Sequence, residues 1–370
     1  MFSLKRLSLM AAALAACTMA TSTASAVMLE PKEVSGPLAV WGWNDAGQLG
    51  NGTSGNIKRS APAAVPGLTN ITAIATGYSH ALALQDGGVL WAWGSSKEGQ
   101  IGNDTIRTST NTPVQVLDNV KAVAAGWEHS LALKTDGTLW TWGRNDLGQL
   151  GDGTNANATT PVKVMSNVTI IAAGAHHTLA VVNGNTLFAW GMSWNGQAGV
   201  MGSGSNPTPT EVKMSKPGNI TAIAAGTAHN LVVQDGVLYA FGANNHGQLG
   251  GPLGNIGGDR YQPTEVLLNG ALFTGVTAIA AGGNTSMAVM GGNVYAWGNV
   301  NLGQFGLTGD ASNYLATPTL VAKGCLSISA GEDFALAITG INGLRVQVPE
   351  PVSLSVLAIG AAGLLMRRRR

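Results

Sequence analysis

One block recurs six times along this chain: Trp-Gly, four variable residues, Gly-Gln, one apolar or small residue, then Gly. Its Gly-Gln pairs are Gly47-Gln48, Gly99-Gln100, Gly148-Gln149, Gly196-Gln197, Gly247-Gln248 and Gly303-Gln304. The copies open at Trp41, Trp93, Trp142, Trp190, Phe241 and Trp297, so one of them carries Phe for Trp. Successive copies lie 48–56 residues apart. Self-similarity at that period implies small units, each burying an apolar face against its neighbours. A helical solenoid obeys the same logic but needs Ala, Glu, Lys and Leu. Here 52 of 370 residues are Gly, about twice the usual share, and 11% are charged, against about a quarter in ordinary domains. A hydrophobic content of 45% excludes intrinsic disorder. Gly does not fall at every third position, which excludes collagen.

Each copy reads as short strands. From residue 122 the chain runs Ala-Val-Ala-Ala-Gly, then His129-Ser-Leu-Ala-Leu, then Asp136-Gly137, then Thr-Leu-Trp-Thr-Trp-Gly. Asp-Gly between alternating apolar runs signals a hairpin, because both turn positions take positive φ. The same slot holds Asp86-Gly87, Asn183-Gly184, Asp235-Gly236, Gly291-Gly292 and Asn342-Gly343. Pro113-Val-Gln-Val and Pro161-Val-Lys-Val add a fourth, outer strand, since Pro at a strand start suits a sheet edge. Four short strands per copy, repeated radially, define an all-β propeller of about six four-stranded antiparallel blades. The chain enters on a Trp-Gly block and leaves on the other half of the unit, so the last sheet is expected from both ends, hiding strand edges. Leu344-Arg-Val-Gln-Val348 offers that sheet another third strand, which leaves a seventh, partial blade open.

These copies, with their Gly-x-x-His turns, resemble RCC1 repeats over about 300 of the 370 residues. The resemblance implies an RCC1-like propeller across residues 38–347. Family functions include guanine-nucleotide exchange on a small GTPase, photoreception and inhibition of secreted enzymes, and none of them travels with the fold.

Both ends read as addresses. Residues 1–26 resemble a signal helix: Lys5 and Arg6, a short apolar run from Leu7 to Ala16, and small residues Ala24 and Ala26 at the cleavage site. Leu14-Ala-Ala-Cys17 is an alternative lipoprotein box, with Cys17 as the lipidated end. A linker follows at 27–37. At the other end, Val348-Pro349-Glu350-Pro351 precedes fifteen uncharged residues and Arg367, Arg368, Arg369 and Arg370. Fifteen helical residues span about 22 Å, short of a hydrocarbon core of about 30 Å. The arginines favour the cytoplasmic side. Residues 348–370 are similar to the PEP-CTERM sorting tail of Gram-negative bacteria. That resemblance implies recognition at Pro349, Glu350 and Pro351 by an exosortase, transient inner-membrane insertion through a hydrophobic helix, and release to the surface or biofilm matrix. Signal peptidase is the other export partner.

Between the two ends, residues 27–348 hold 14 Lys or Arg against 18 Asp or Glu, a net charge of −4. Such a product lacks the cationic surface that nucleic acid requires. Cys325 is the single cysteine outside the leader, which excludes an intramolecular disulfide in the mature chain and favours a buried, inert thiol.

His80, His129, His177 and His229 share one slot, filled by Thr285 and Phe334 in the remaining copies. Equivalent slots on separate blades lie around a ring and do not converge on one ion, so hydrogen bonding between strands is expected and no metal or cofactor is assigned. Trp91, Trp93, Trp140, Trp142, Trp190 and Trp297 recur in register and are expected in the core. The Gly-Gln glutamines are expected to bond turn backbone. Trp43, Trp127 and Trp194 do not recur, and irregular loop aromatics are the better contact candidates. No nucleophile elbow, zincin helix or phosphate loop occurs. The expected function is an exported, monomeric, non-catalytic scaffold for an extracellular protein or polysaccharide. The alternatives are a secreted enzyme inhibitor or a polysaccharide-active enzyme. Nucleotide exchange conflicts with the leader.

Overall fold

A computed structural model describes residues 38–346 apart from 57, 202–203, 252–255, 302, 304, 306–312, 333–334 and 340–344. The expected leader, linker and sorting tail lie outside the described residues, as do Gln304, Phe334 and the Asn342-Gly343 turn. The described residues contain strands and turns and no helix.

The chain opens with β1 (Ala39–Trp43) and β2 (Lys58–Ala64), an antiparallel pair. Four four-stranded sheets follow. The first holds β3 (Ile71–Thr76), β4 (His80–Gln85), β5 (Val89–Ser95) and β6 (Ser109–Leu117). The second holds β7 (Val120–Ala125), β8 (His129–Lys134), β9 (Leu139–Gly143) and β10 (Ala158–Met165). The third is β11 (Val168–Ala173), β12 (His177–Val182), β13 (Thr186–Met192) and β14 (Ser205–Val212). The fourth is β15 (Ile220–Ala225), β16 (His229–Gln234), β17 (Val237–Gly242) and β18 (Arg260–Glu265). A small hairpin, β19 (Leu267–Leu268) and β20 (Ala271–Leu272), precedes the fifth sheet. That sheet contains β21 (Val276–Gly282), β22 (Thr285–Met290), β23 (Asn293–Asn299) and β24 (Tyr314–Lys323). The chain continues through β25 (Cys325–Ala330) and β26 (Ala335–Thr339), a second isolated pair, to β27 (Arg345–Val346).

Every pairing is antiparallel, and the first strand of each sheet packs beside the first strand of the next, from β3 through β7, β11, β15 and β21 to β25. Those innermost strands are short and rich in Ala, as in Val-Lys-Ala-Val-Ala-Ala, because the blades taper towards the axis. Proline-bearing β6, β10 and β14 form outer edges, as expected. The two-residue turns Asp235-Gly236 and Gly291-Gly292 take positive φ at both positions, whereas in the longer Asp136-Gly137 turn only Gly137 does.

The recurring indoles lock neighbouring blades. Trp93, Trp142, Trp190 and Trp297 are at most 1% exposed. Each donates Nε1–H to the Gln carbonyl of the preceding copy: Gln48 at 2.8 Å, Gln100 at 2.9 Å, Gln149 at 3.0 Å and Gln248 at 2.8 Å. Gly151 is required there, because a Cβ on it would sit 2.5 Å from Trp190 Nε1 and its φ is 76°. Trp91 and Trp140 pack against the core from its edge and are half-buried, shallower than Trp93 and Trp142. They stand two residues before Trp93 and Trp142, where the strand is less enclosed, and they donate instead to Gln85 Oε1 and Thr138 Oγ1. Cys325 is buried and unpaired, and burial pushes its thiol pKa up.

The sheet expected from both ends stands as two separate two-stranded pairs, β25–β26 beside the fifth blade and β1–β2 beside the first, and no strand pairing joins them among the described residues. Residues 345–346 do not supply its third strand. Instead β27 pairs with the outer edge of β24, whose ten residues leave free backbone groups. Trp41 occupies the slot that is fully buried in the other copies, yet it is 52% exposed. Beside it, a recess of about 720 Å³ opens between β1 and the β3–β4 face of the first blade.

Candidate functional site

The strand order sorts connections onto two faces. Hairpins such as Asp136-Gly137, and the links between blades, leave from one face. The Gly-x-x-His turns and the long Gly-Gln loops leave from the other, the loop face.

Under the loop face runs a relay between blades. His80 Nε2 lies 2.9 Å from Ser130 Oγ, and that hydroxyl donates to the Gln100 carbonyl at 2.8 Å. The hydroxyl therefore accepts from the imidazole, so Nε2 carries the proton. His129 repeats this with Thr178 (3.1 Å) and Gln149, and His229 with Ser286 (2.9 Å) and Gln248. His177 donates to Asn230 Oδ1 at 2.8 Å, and the Asn230 amide donates to the Gln197 carbonyl. Each Nδ1 is buried without a hydrogen-bond partner, and burial pushes His80 and His229 down to about 3, His177 to about 4, and His129 well below 6.5. These histidines are neutral struts that join blades, rather than strands within one blade. At Gly126 a Cβ would strike the His129 ring, which explains the fixed Gly three residues earlier. Gln48, Gln100, Gln149, Gln197 and Gln248 each accept, through Oε1, from the backbone N–H two residues before them, as expected of turn supports. Among the described residues no group of His, Cys, Asp and Glu is arranged to hold a metal.

The three contact candidates are separate. Trp43 ends β1, is 56% exposed, and carries Lys58 Nζ 5.4 Å from its ring centre. Trp194 is 61% exposed in the fourth Gly-Gln loop, between β13 and β14. Trp127 lies at the axis and gathers residues that repeat reasoning passed over. Its ring centre is 6.0 Å from Tyr78, which is 71% exposed, and 5.0 Å from the edge-on His176. Behind them Arg144 bridges Glu128 at 2.5 Å and Asp146 at 2.6 Å. Those two carboxylates, Asp146 first, raise the guanidinium pKa. Burial, and then the Arg144 charge, lowers His176 below its ordinary value, which makes it neutral. The signal was available in sequence: at the position after the turn glycine, copies one and two carry Tyr78 and Trp127 where the others carry Ala175, Thr227, Gly283 and Glu332. These turns also bond around the axis, Tyr78 N–H to the Trp127 carbonyl (3.0 Å), Trp127 N–H to Ala175 (3.1 Å) and Thr227 N–H to Gly283 (2.8 Å). Above them is a hollow of about 290 Å³ lined by Thr76, Tyr78, Trp127, Thr227 and Glu332, with Gly77, Gly126 and Gly283.

Radial antiparallel sheets joined through axial turns make this a β-propeller, and the Trp, Gln and His sewing between blades sets its class. The chain belongs to the RCC1-like domain family, whose sequence model matches residues 13–337. It is 32% identical over 121 residues to the regulator of chromosome condensation of Drosophila melanogaster, covering 32% of this chain and 21% of the fly protein. It is 41% identical over 69 residues to human RCC2, covering 18% of this chain and 13% of that protein. With human HERC2, an E3 ubiquitin-protein ligase, 73 residues match, 2% of that protein's length. Among solved structures, human WBSCR16 superposes with a TM-score of 0.69 at 22% identity, covering 82% of this chain and 81% of that one. Yeast RCC1 (Prp20), in a structure bound to Kap60, gives 0.57 at 22% identity, with coverages of 86% and 89%.

Proposed function

We propose that this chain is an exported, non-catalytic binding scaffold of the cell surface or extracellular matrix, with its ligand held on the loop face. The carrying observation is the segregation of irregularity. Most of the repeated residues are consumed in sewing blades together, while Tyr78, Trp127 and Trp194 break the pattern and remain accessible on one face. Accessible aromatics on a rigid frame are the usual anchors of recognition. The family fold supports a binding role, and Prp20 has been solved with a protein partner. The leader-like 1–26 and the Pro349-Glu350-Pro351 tail support export and exosortase release.

Two experiments test the reading. Mass spectrometry of the mature protein from its native host is expected to show loss of residues 1–26 and of Arg367 to Arg370. Retention of Arg370 overturns the sorting half. Capture from the host's extracellular fraction is expected to fail with Trp194→Ala and to survive Asp136→Ala on the hairpin face. Equal capture by both variants overturns the loop-face half.

A further inference from the structure

We propose that the axial hollow receives the alkylammonium group of a lysine side chain presented by a protein partner. This deepens the loop-face reading and rests on it.

Four observations converge. The hollow's walls include two aromatic rings, Tyr78 and Trp127, 6.0 Å apart and inclined at 51°. Among the described lining residues the single ionisable side chain besides the Tyr78 phenol is the carboxylate of Glu332, and no lining residue is cationic. The neighbouring charges are two carboxylates, Glu128 and Asp146, and one guanidinium, Arg144, which is held between them. With neutral His176, the Glu128–Arg144–Asp146 group keeps a net negative charge beside the rings. An aromatic face attracts a cation through its quadrupole, and desolvation strengthens the attraction.

The chain supplies its own precedent. Lys58 Nζ covers Trp43 at 5.4 Å, and Lys134 Nζ covers Trp140 at 5.1 Å. Among the described residues no such cation covers Tyr78 or Trp127, the pair that stands at the axis. The hollow is small, with room for a water-sized group such as an ammonium head. The ammonium head of one side chain enters it, while the methylenes and the rest of a partner spread over the surrounding loops, Trp194 included.

Titration of the full chain with the peptide acetyl-Gly-Lys-Gly-amide, followed by NMR at the Trp127 indole N–H, tests this. The control is the same peptide with norleucine, which keeps the alkyl chain and removes the charge. The lysine peptide is expected to bind about tenfold more tightly. Tyr78→Ala is expected to weaken binding about tenfold, Glu332→Gln about threefold, and Trp127→Phe less than Trp127→Ala. Tyr78 is exposed, so its variant keeps the fold, as the dispersion of the NMR spectrum reports. Equal binding of both peptides, or no binding up to about 10 mM, overturns the proposal. A partner that is lost with Trp194→Ala but retained with Tyr78→Ala overturns the hollow alone and leaves the loop face standing. A partner retained with both overturns the broader reading.

Discussion

The junctions between the first five blades and the two junctions around the sixth sheet are built from different parts. Between blades one and two, His80 donates to Ser130, Ser130 to the Gln100 carbonyl, and Trp142 to the same carbonyl. The sixth sheet has lost most of this. Thr285 stands in a histidine slot and turns its hydroxyl back to the Gly282 carbonyl of its own turn. In the hydroxyl slots Ala335 and Ala81 have nothing to accept with. Trp93 still donates to the Gln48 carbonyl, so β1–β2 is docked on the first blade. Trp41, the counterpart on the other side, is half in solvent. The contrast teaches that the repeat specifies a wheel through its junctions, and that the wheel's weak points flank the two strand pairs β25–β26 and β1–β2.

Four measurements break or sharpen that contrast. By the register of the first blade, where Ala83 faces Trp91 and Ala81 faces Trp93, Ala337 is expected opposite Ala39 and Ala335 opposite Trp41 when β26 meets β1. Ala39→Cys with Ala337→Cys should then form an intramolecular disulfide that raises stability by about 4–5 kcal/mol, because the closed loop is nearly the whole domain. An exclusively intermolecular disulfide, seen on a non-reducing gel, would place a second copy at the seam. Next in size, Trp190→Ala should cost about 3–5 kcal/mol in urea unfolding and Trp41→Ala under about 1 kcal/mol. Equal losses would show that the seam is packed like every other junction.

Acid should act on the sewn junctions. The relay histidines have folded-state pKa values pushed below 6.5, so between pH 6.5 and about 3 the unfolded chain binds more protons. Stability is therefore complete above pH 6.5 and falls as the pH drops through that window. The loss at pH 5 is on the order of 2 kcal/mol per relay histidine. Urea midpoints that do not move between pH 7 and pH 5 would contradict neutral, buried imidazoles. The smallest effects come from the relay's hydrogen bonds. Ser130→Ala should cost about 1–3 kcal/mol by leaving the His80 donor unsatisfied, whereas Ala81→Ser at the seam should change stability by less than about 1 kcal/mol.

The wheel was legible because its causes are local. A Trp-Gly block every fifty residues, an Asp-Gly turn and a Pro-led edge strand each declare themselves within a few positions. The relay was only half legible. The histidine slot was visible, but its acceptors lie 49–57 residues away on the next blade, and Ser, Thr and Asn fill that position interchangeably. Trp91 and Trp140 lie at the core's edge and not its centre, because periodicity reports register and not depth. The β19–β20 hairpin was invisible because it interrupts the period, although it carries Phe273 into the core against Tyr295 and Trp297. Of the candidate site, Trp127 was found by its irregularity. Tyr78 and Arg144 were not, because their significance arises only when turns from different copies converge on one axis.

At every sewn junction one unit offers a donor and an acceptor, and the next offers a bridging group, in most copies with an indole. Any unit can therefore follow any other, and nothing in the stitching counts them. Inserting or deleting a whole unit leaves each interface with its partners, so the number of sectors in such a disc is free to drift over descent, limited by how tightly the hub can curve.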